Sequence, residues 1–199
     1  MASRALFPTL VYEARLDDAS LLTDLERSCR SLAAEDKAGQ RWSRQHNYRG
    51  YTSYASLNDL PQRDPHIAAL VRLVDRHVAA FAGDCAFDLK RRLKLDSLWA
   101  NVLKPGGLHN AHIHPHAVVS GTFYVAVPGG SGALRLEDPR LPMMMVAPPR
   151  RDDAPEPLRH FVYLEPKAGT LLLWESWLRH EVVPGTAKGE RISISFNYR

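Results

Sequence analysis

The front half of the chain carries two runs of apolar residues at helical spacing. The first run follows the cap candidates Asp17 and Asp18 and consists of Leu21, Leu22, Leu25, Cys29 and Leu32. The second follows the cap candidate Asp64 and Pro65, which suits the first helical position, and consists of Ile67, Leu70, Val71, Val74, Val78 and Phe81. The pattern predicts two amphipathic helices around a polar loop, and each apolar stripe needs a surface to cover.

From about Leu93 onward, apolar and polar positions alternate in short segments that Gly and Pro separate. The predicted strands are residues 95–103, 118–127, 132–136, 158–164, 170–174, 181–183 and 191–197. Residues 138–157 contain six prolines around three consecutive methionines and are predicted to form a long loop. Several short strands are typical of a sandwich or barrel, so we predict a β-barrel with the helices outside it.

The last predicted strand has two different faces. Its polar face carries Arg191, Ser193, Ser195 and Asn197, and its apolar face carries Ile192, Ile194 and Phe196. On a surface strand the polar face would meet water. The helical stripes need the outer face of a sheet, which favours the alternative, in which the polar face lines a barrel cavity. An arginine in a cavity requires an anionic partner, because a buried unpaired guanidinium is costly.

A dicarboxylic cosubstrate meets the requirement of Arg191. Its far carboxylate can accept a bidentate pair from Arg191 and a hydroxyl bond from Ser193, while its 2-oxo acid end chelates a metal. Hydrogen bonds to charged groups contribute on the order of 1.5 to 3 kcal/mol each, which is enough to select a dicarboxylate. Asn101 and Tyr124 would face the same interior and could hydrogen-bond such a cosubstrate, although each is equally well explained as a core polar residue.

Four of the nine histidines fall in one short stretch, residues 109–116. Alternation along a strand places His112 and His114 on the same face, close enough to share one ion. His180 adds another histidine at the boundary of a turn and a strand. A surface cluster is the alternative interpretation of the first stretch alone, and Pro115 leaves the direction of His116 open.

Composition and charge indicate an ordinary globular protein. The chain has 45% hydrophobic and 24% charged residues and a formal net charge of +4. We predict a single domain over residues 1–199, with a helical support region at 1–92 and a β core at 93–199. The basic run of residues 90–92 is interpreted as a solvated face, so no nucleic-acid partner is expected.

The cysteines and the N-terminus predict a cytoplasmic protein. Cys29 and Cys85 have no metal-binding spacing, and a reducing compartment suits them. The segment 1–11 has no apolar signal-peptide core, and no stretch approaches the roughly 18 unbroken apolar residues of a membrane span. We therefore expect no membrane partner.

A set of motifs resembles those of the 2-oxoglutarate and Fe(II)-dependent oxygenases of bacteria and phages. The motifs are His112-x-His114-Pro115, Ser120-Gly-Thr-Phe-Tyr-Val125, Asp138-Pro-Arg140, Gly169-Thr-Leu-Leu-Leu-Trp174, Ser176-Trp-Leu-Arg-His180-Glu-Val182 and Arg191-Ile-Ser-Ile-Ser-Phe-Asn197. The resemblance covers nearly the whole chain. It implies an α+β, mainly β fold, a double-stranded β-helix or cupin-like jelly roll, with iron at the open end of the barrel. It also implies that His112 and His180 are iron ligands and that Arg191 binds the tail of 2-oxoglutarate.

The chain departs from the family pattern at the iron site. The usual facial triad has two histidines and a carboxylate, and the carboxylate stands two residues after the first histidine. That position is His114 here, so we predict a three-imidazole site of His112, His114 and His180 with one negative charge fewer. Glu137 and Asp138 are the alternative carboxylates, but spacing favours His114, and Asp138 suits a turn at a strand end.

The resemblance implies an enzyme that uses O2 to hydroxylate a small-molecule or peptidyl substrate and releases succinate and CO2. A homodimer is compatible with the sequence. One alternative is a cupin-type dioxygenase without 2-oxoglutarate, because Gly106 precedes His112-x-His114 at cupin spacing, although valines replace the usual glutamate. A non-catalytic metal- or ligand-binding barrel is another. Residues 41–49, with Tyr51 and Tyr54, are predicted to form a loop beside the barrel mouth, either a substrate lid or an ordinary surface loop.

Overall fold

Side-chain caps start the three longer helices of the front half. The computed structural model describes residues 3–199, so Met1 and Ala2, the first residues of the predicted domain and of the segment 1–11, lie outside it. Within the described residues the helices are α1 (Ala19–Glu35), α2 (Lys37–Gln45), α3 (Leu60–Arg63) and α4 (Pro65–Asp84). The Asp18 carboxylate accepts a hydrogen bond from the backbone of Leu21, and the Asp64 carboxylate accepts one from His66. Both predicted amphipathic helices are confirmed.

The prediction of a loop over residues 41–49 is wrong for its first part, because residues 41–45 belong to α2. The Asp36 carboxylate starts this helix by accepting hydrogen bonds from the backbone N–H groups of Ala38 and Gly39. The same carboxylate accepts a hydrogen bond from the hydroxyl of Tyr51 at 2.9 Å. One carboxylate therefore caps α2 and ties it to the strand that contains Tyr51.

The strands form two antiparallel sheets. In the described part of the chain they are β1 (Val11–Arg15), β2 (Gly50–Thr52), β3 (Leu95–Leu103), β4 (His109–His112), β5 (Val119–Ala126), β6 (Leu134–Glu137), β7 (Phe161–Leu164), β8 (Thr170–Glu175), β9 (His180–Val182) and β10 (Arg191–Tyr198). The larger sheet has the order β1-β8-β5-β10-β3-β2, and the smaller one has the order β4-β9-β6-β7. The predicted strands are confirmed with shifted ends, whereas β1, β2 and β4 were not predicted.

The alternation along β10 divides the interior into two cores. Ile192, Ile194 and Phe196 are buried in an outer core with the apolar stripes of α1 and α4. A smaller inner core lies on the other side of the large sheet and consists of Leu103, Tyr124, Leu134, Leu136, Leu172, Trp174, Leu178 and Val182. The prediction that the apolar face of this strand packs under the helices is confirmed, and the polar face is left to line the barrel interior.

The long proline-rich connection between β6 and β7 is a loop, as predicted, and it contains two short 3-10 turns, Leu141–Met143 and Glu156–Leu158. Asp138 stands at its start and accepts hydrogen bonds from the backbone and guanidinium of Arg140. The turn predicted at Asp138 is therefore present. Among residues 3–199, no helix combines the length and apolar character that crossing a bilayer requires.

Candidate active site

Three histidines converge at the open end of the barrel, and we call His112, His114 and His180 the histidine cluster. Each offers a ring nitrogen, and these three atoms lie within 4.8 Å of one another. His112 ends β4 and is the cross-strand partner of His180, which begins β9. His114 lies beyond the end of β4, so the prediction that it shares a strand face with His112 is wrong. The backbone N–H of His114 instead donates to the carbonyl of Ser176 at 3.0 Å, and this bond holds His114 beside the other two histidines.

Backbone carbonyls fix the tautomers of two cluster histidines. Nδ1 of His180 lies 2.8 Å from the carbonyl oxygen of Leu178, and Nδ1 of His112 lies 2.6 Å from that of Asn110. A carbonyl oxygen only accepts, so each Nδ1 carries a proton, and in the neutral ring Nε2 keeps its lone pair. This arrangement is the usual support of metal-binding histidines.

Two of the cluster histidines, His114 and His180, are held in the neutral form. Burial, with a contribution from nearby His112, lowers the pKa of His180 to about 3. The same two causes lower the pKa of His114 to about 4. Neutral imidazoles coordinate metals and protonated ones do not, so His114 and His180 have the protonation state that metal binding requires near neutral pH.

Hydroxyl groups under the cluster connect the strands that support it. The hydroxyls of Ser120 and Ser176 lie 2.7 Å apart, and the Ser120 hydroxyl donates to the side-chain oxygen of Asn197 at 2.8 Å. Ser176 precedes His180 in the turn between β8 and β9. Its backbone carbonyl accepts the hydrogen bond from the backbone N–H of His114. The turn is thus tied both to the large sheet and to the segment that carries His114.

Arg191 shares a chamber with the histidine cluster. The chamber is lined by Trp99, His109, His112, His114, Gly121, Thr122, Leu134, Trp174, His180, Val182, Arg191, Ser193 and Ser195. The side chain of Arg191 is buried, and its guanidinium carbon lies 4.9 Å from the centre of the Tyr124 ring. Within residues 3–199, Nε and Nη1 of Arg191 and the hydroxyl of Tyr124 have no hydrogen-bond partner. Unpaired buried donors of this kind are costly unless a ligand binds them.

The predicted secondary residues form a row across the large sheet. Ser193 on β10 is the cross-strand partner of Asn101 on β3 and of Tyr124 on β5. The side-chain amide of Asn101 donates to Ser195 at 3.3 Å. All of these side chains belong to the inward face, as the alternation predicts. A β-bulge between Ile192 and Ser193 interrupts the pairing of β10 with β5 next to Arg191.

Sequence reasoning missed the contact between Tyr48 and His109, of which His109 lines the chamber. The hydroxyl of Tyr48 lies 2.6 Å from Nε2 of His109 and 3.3 Å from the side-chain oxygen of Asn101. Burial and the nearby charge of Arg191 lower the pKa of His109 to about 3, and burial raises the pKa of Tyr48. His109 belongs to the histidine-rich stretch, which was the available signal. Tyr48 belongs to residues 41–49, which were predicted to lie beside the barrel mouth, but that prediction did not pair it with His109.

Other candidates lie outside the cluster. Glu137 pairs with Arg179 at 3.2 Å and Asp138 with Arg140 at 2.8 Å, so neither carboxylate joins the histidines. Trp174 packs against His180, with 4.7 Å between ring centres. Trp177 is 46% exposed and its indole N–H donates to the carboxylate of Glu175 at 2.9 Å.

A groove of about 700 Å³ adjoins the chamber and opens to solvent. It shares Trp99, His109, His112 and His114 with the chamber. We call this whole groove the aromatic groove. Its outer part is formed by α2, the segment before β2 and the two ends of β4. The residues of its outer part are Trp42, His46, Asn47, Tyr48, Arg49, Thr52, Tyr54, Gly106, Leu108, Asn110, Ile113 and Pro115. The histidine cluster is therefore reached from the surface through this groove.

Several solved structures share the fold at low sequence identity. A prolyl-4-hydroxylase from Pseudomonas putida is 17% identical, with 96% of this chain and 92% of that chain covered and a TM-score of 0.59. HygX from Streptomyces hygroscopicus, with nickel and 2-oxoglutarate bound, is 16% identical, with 96% and 82% covered and a TM-score of 0.61. A prolyl hydroxylase from Trichoplax adhaerens, in complex with a hypoxia inducible factor oxygen degradation domain peptide fragment, is 15% identical, with 94% and 82% covered and a TM-score of 0.58. The double-stranded β-helix predicted from the sequence is confirmed.

The coverage of relatives is uneven. An oxidoreductase of the 2OG-Fe(II) oxygenase family from Burkholderia pseudomallei matches with 58% of that chain covered and a TM-score of 0.49. No curated protein matches the sequence. The family model described as "Putative 2OG-Fe(II) oxygenase" matches residues 97–197, just over half of the 199 residues. This segment contains the histidine cluster and Arg191, and the chain belongs to the 2OG-Fe(II) oxygenase family.

Proposed function

We propose that this protein binds Fe(II) on His112, His114 and His180 and 2-oxoglutarate on Arg191, and hydroxylates an organic substrate with O2. The observation that carries the proposal is that the histidine cluster and a buried, unpartnered guanidinium line one chamber. When bound, the metal and 2-oxoglutarate supply the activation of O2 and yield succinate and CO2. The chain supplies the ligands, their orientation and a site shielded from water.

The donor set of the chamber suits the far carboxylate of 2-oxoglutarate. Arg191 offers two unpaired N–H donors and a positive charge, and the buried hydroxyl of Ser193 lies on the same strand face. A carboxylate can accept a bidentate pair from a guanidinium together with a hydroxyl bond. Tyr124 and Asn101 are proposed as further hydrogen-bonding residues, because they flank Ser193 in the same cross-strand row.

Charge balance supports a dianionic cosubstrate at a three-imidazole site. Neutral imidazoles leave the two positive charges of Fe(II) uncompensated, whereas a facial triad with a carboxylate compensates one of them. The two carboxylates of 2-oxoglutarate bring two negative charges into a chamber that also holds Arg191. The missing carboxylate of the triad thus increases the electrostatic attraction for the cosubstrate.

The chamber is small, about 70 Å³, which is the space of two or three water molecules. A five-carbon diacid is larger, so it would extend toward the aromatic groove or displace wall side chains. Leu134, Trp174 and Val182 form the apolar part of the wall. These side chains exclude water around the reacting groups, which strengthens the electrostatic interactions there.

Coupled assays test this proposal. The purified protein with Fe(II) and 2-oxoglutarate should consume O2 and form succinate in equal amounts. We expect this conversion of 2-oxoglutarate to proceed slowly even when the substrate is absent. Arg191→Gln should abolish succinate formation while metal binding persists. Oxygen uptake without succinate would indicate a cupin-type dioxygenase instead, and neither product nor uptake would indicate a non-catalytic metal-binding barrel.

We also propose that the chain works as a single domain in a reducing compartment such as the cytoplasm. The buried stripes of α1 and α4 share one core with the large sheet, which supports a single folding unit. Cys29 and Cys85 are both free thiols, which suits a reducing compartment. A small-molecule or peptidyl substrate and a homodimer stay predictions.

A further inference from the structure

The aromatic groove is walled by exposed apolar side chains. Among its lining residues, Tyr54 is 61%, Leu108 41% and Ile113 46% exposed. Apolar groups that face each other across an open groove gain free energy when a ligand covers them, and such patches commonly mark binding sites. The volume of about 700 Å³ suits a small organic molecule.

An aromatic series leads along this groove to the histidine cluster. Ring centres are separated by 6.3 Å from Trp42 to Tyr54, by 5.2 Å from Tyr54 to Trp99 and by 5.8 Å from Trp99 to His114. Trp42 also stacks on His46 at 4.1 Å. The rings contact one another without a ligand, so the wall is already formed and a bound apolar body would lose little free energy to ordering it. A molecule that covers this wall reaches the cluster.

The groove has a positive charge and no negative one. Among the described residues that line it there is no Asp or Glu, and Arg49 is the one Arg or Lys. The guanidinium of Arg49 lies over Gly106, 3.5 Å from where a β-carbon would stand. Within residues 3–199 Arg49 forms no salt bridge. A cation above apolar walls is complementary to an anionic group on an apolar body.

We propose that the aromatic groove binds the substrate, and that this substrate is a small organic anion with an aromatic or large apolar body. The body lies against the aromatic wall, and the carboxylate or phosphate binds Arg49. This inference rests on the proposed function, because it treats the groove as the substrate's approach to the histidine cluster. It excludes cationic substrates, because no Asp or Glu among the described residues lines the groove to offset the charge of Arg49.

Matched probes with one aromatic body isolate the charge preference. The full chain is titrated by calorimetry with 2-naphthoate, 2-naphthamide, 2-naphthylmethylammonium and acetate, first without and then with saturating 2-oxoglutarate. We expect 2-naphthoate to bind about tenfold tighter than 2-naphthamide, because its carboxylate forms one charge-assisted hydrogen bond with Arg49. 2-Naphthylmethylammonium and acetate should bind most weakly. The first carries a positive charge, and the second lacks an aromatic ring system.

Variants separate the contribution of the charge from that of the wall. Arg49→Gln should reduce the affinity for 2-naphthoate to that for 2-naphthamide and leave the amide affinity unchanged, and Arg49→Lys should restore part of the loss. Tyr54→Ser should weaken both probes equally. Arg91→Gln is the control, since Arg91 is exposed and does not line the groove; it should change neither affinity.

Three results would overturn the inference. They are equal binding of the three naphthyl probes, indifference of 2-naphthoate to Arg49→Gln, and displacement of 2-naphthoate by 2-oxoglutarate with dependence on Arg191 instead. The last result would place the carboxylate in the chamber and leave the proposed function intact. If 2-oxoglutarate itself failed to bind while 2-naphthoate binding still depended on Arg49, the proposed function would fail and the groove assignment would stand.

Discussion

The Nε2 atoms of His114 and His180 lie 3.2 Å apart, although the two residues are 66 positions apart in the sequence. Their rings are nearly parallel, with 14° between the planes. Two imidazoles that bind one ion at right angles, each at about 2.1 Å, place their nitrogens about 3 Å apart. The separation in this protein therefore matches a shared ion, and it arises from the turn before β9 rather than from alternation along one strand.

Removing a cluster histidine should abolish tight metal binding. We expect His114→Ala or His180→Ala to weaken Co(II) binding at least about tenfold, because each removes one of three ligands. Co(II) calorimetry and the visible spectrum of the bound ion measure the loss. His116→Asn is the matched control: His116 is exposed with a φ of 73°, which Asn tolerates, and it stands outside the cluster. Equal loss in the control would show that the effect is not local.

Replacing His114 by a carboxylate should retain the metal. His114→Asp recreates the residue types of the usual facial triad and adds a negative charge beside the ion, so it should bind Fe(II) far better than His114→Ala. The same charge should weaken 2-oxoglutarate binding relative to the wild type. Equal metal affinities of the Asp and Ala variants would remove His114 from the ligand set.

Neighbouring positions on β10 should separate binding from stability. Ser193→Ala should weaken 2-oxoglutarate binding by roughly tenfold, since it removes a hydrogen bond to a charged group. Ile194→Ala should lower the free energy of unfolding by about 2 to 5 kcal/mol, because it opens a cavity in the outer core. Calorimetry and urea unfolding of both variants measure these effects. Ser193→Ala should keep the stability of the wild type, and the reverse pattern would contradict the assignment of the two faces.

His109 should make the metal-free protein less stable in acid. Its pKa in the folded state is lowered to about 3, mainly by burial, whereas that of a free histidine is about 6.5. Between these values the unfolded chain binds the additional proton, so the free energy of unfolding decreases as the pH falls. The stability difference between wild type and His109→Gln should therefore shrink from about pH 7.5 to about pH 5. Tyr48→Phe keeps the imidazole of His109 and should keep the pH dependence of the wild type. If the stability difference between wild type and His109→Gln were the same at all pH values, the role assigned to His109 would be wrong.

Local patterns predicted the helices and the faces of β10 because burial of those elements follows their own periodicity. The stripes of α1 and α4 and the alternation of Ile192 and Ile194 with Arg191 and Ser193 suffice for that. The short strands β1, β2 and β4 have weak local patterns and are held by their partners. Pairing of β1 with β8, for example, depends on residues more than 150 positions away.

The site was predictable where one residue type carries the chemistry and unpredictable where two distant segments meet. Residue type and spacing alone indicate the histidines and Arg191 as candidate site residues. The contact between Tyr48 and His109, at 2.6 Å, depends on α2 and on the capping of that helix by Asp36. Nothing in the local sequence around Tyr48 indicates such a contact.

The central claim is that one iron ion and one 2-oxoglutarate occupy the same chamber. Anaerobic titration of the folded protein with Fe(II) and then 2-oxoglutarate tests it directly, because chelation of the ion by the 2-oxo acid produces a visible charge-transfer band. We expect the band to saturate at one equivalent of each, and to require far more 2-oxoglutarate in Arg191→Gln with the Fe(II) requirement unchanged. A folded wild-type protein that binds Fe(II) and shows no band would contradict the account.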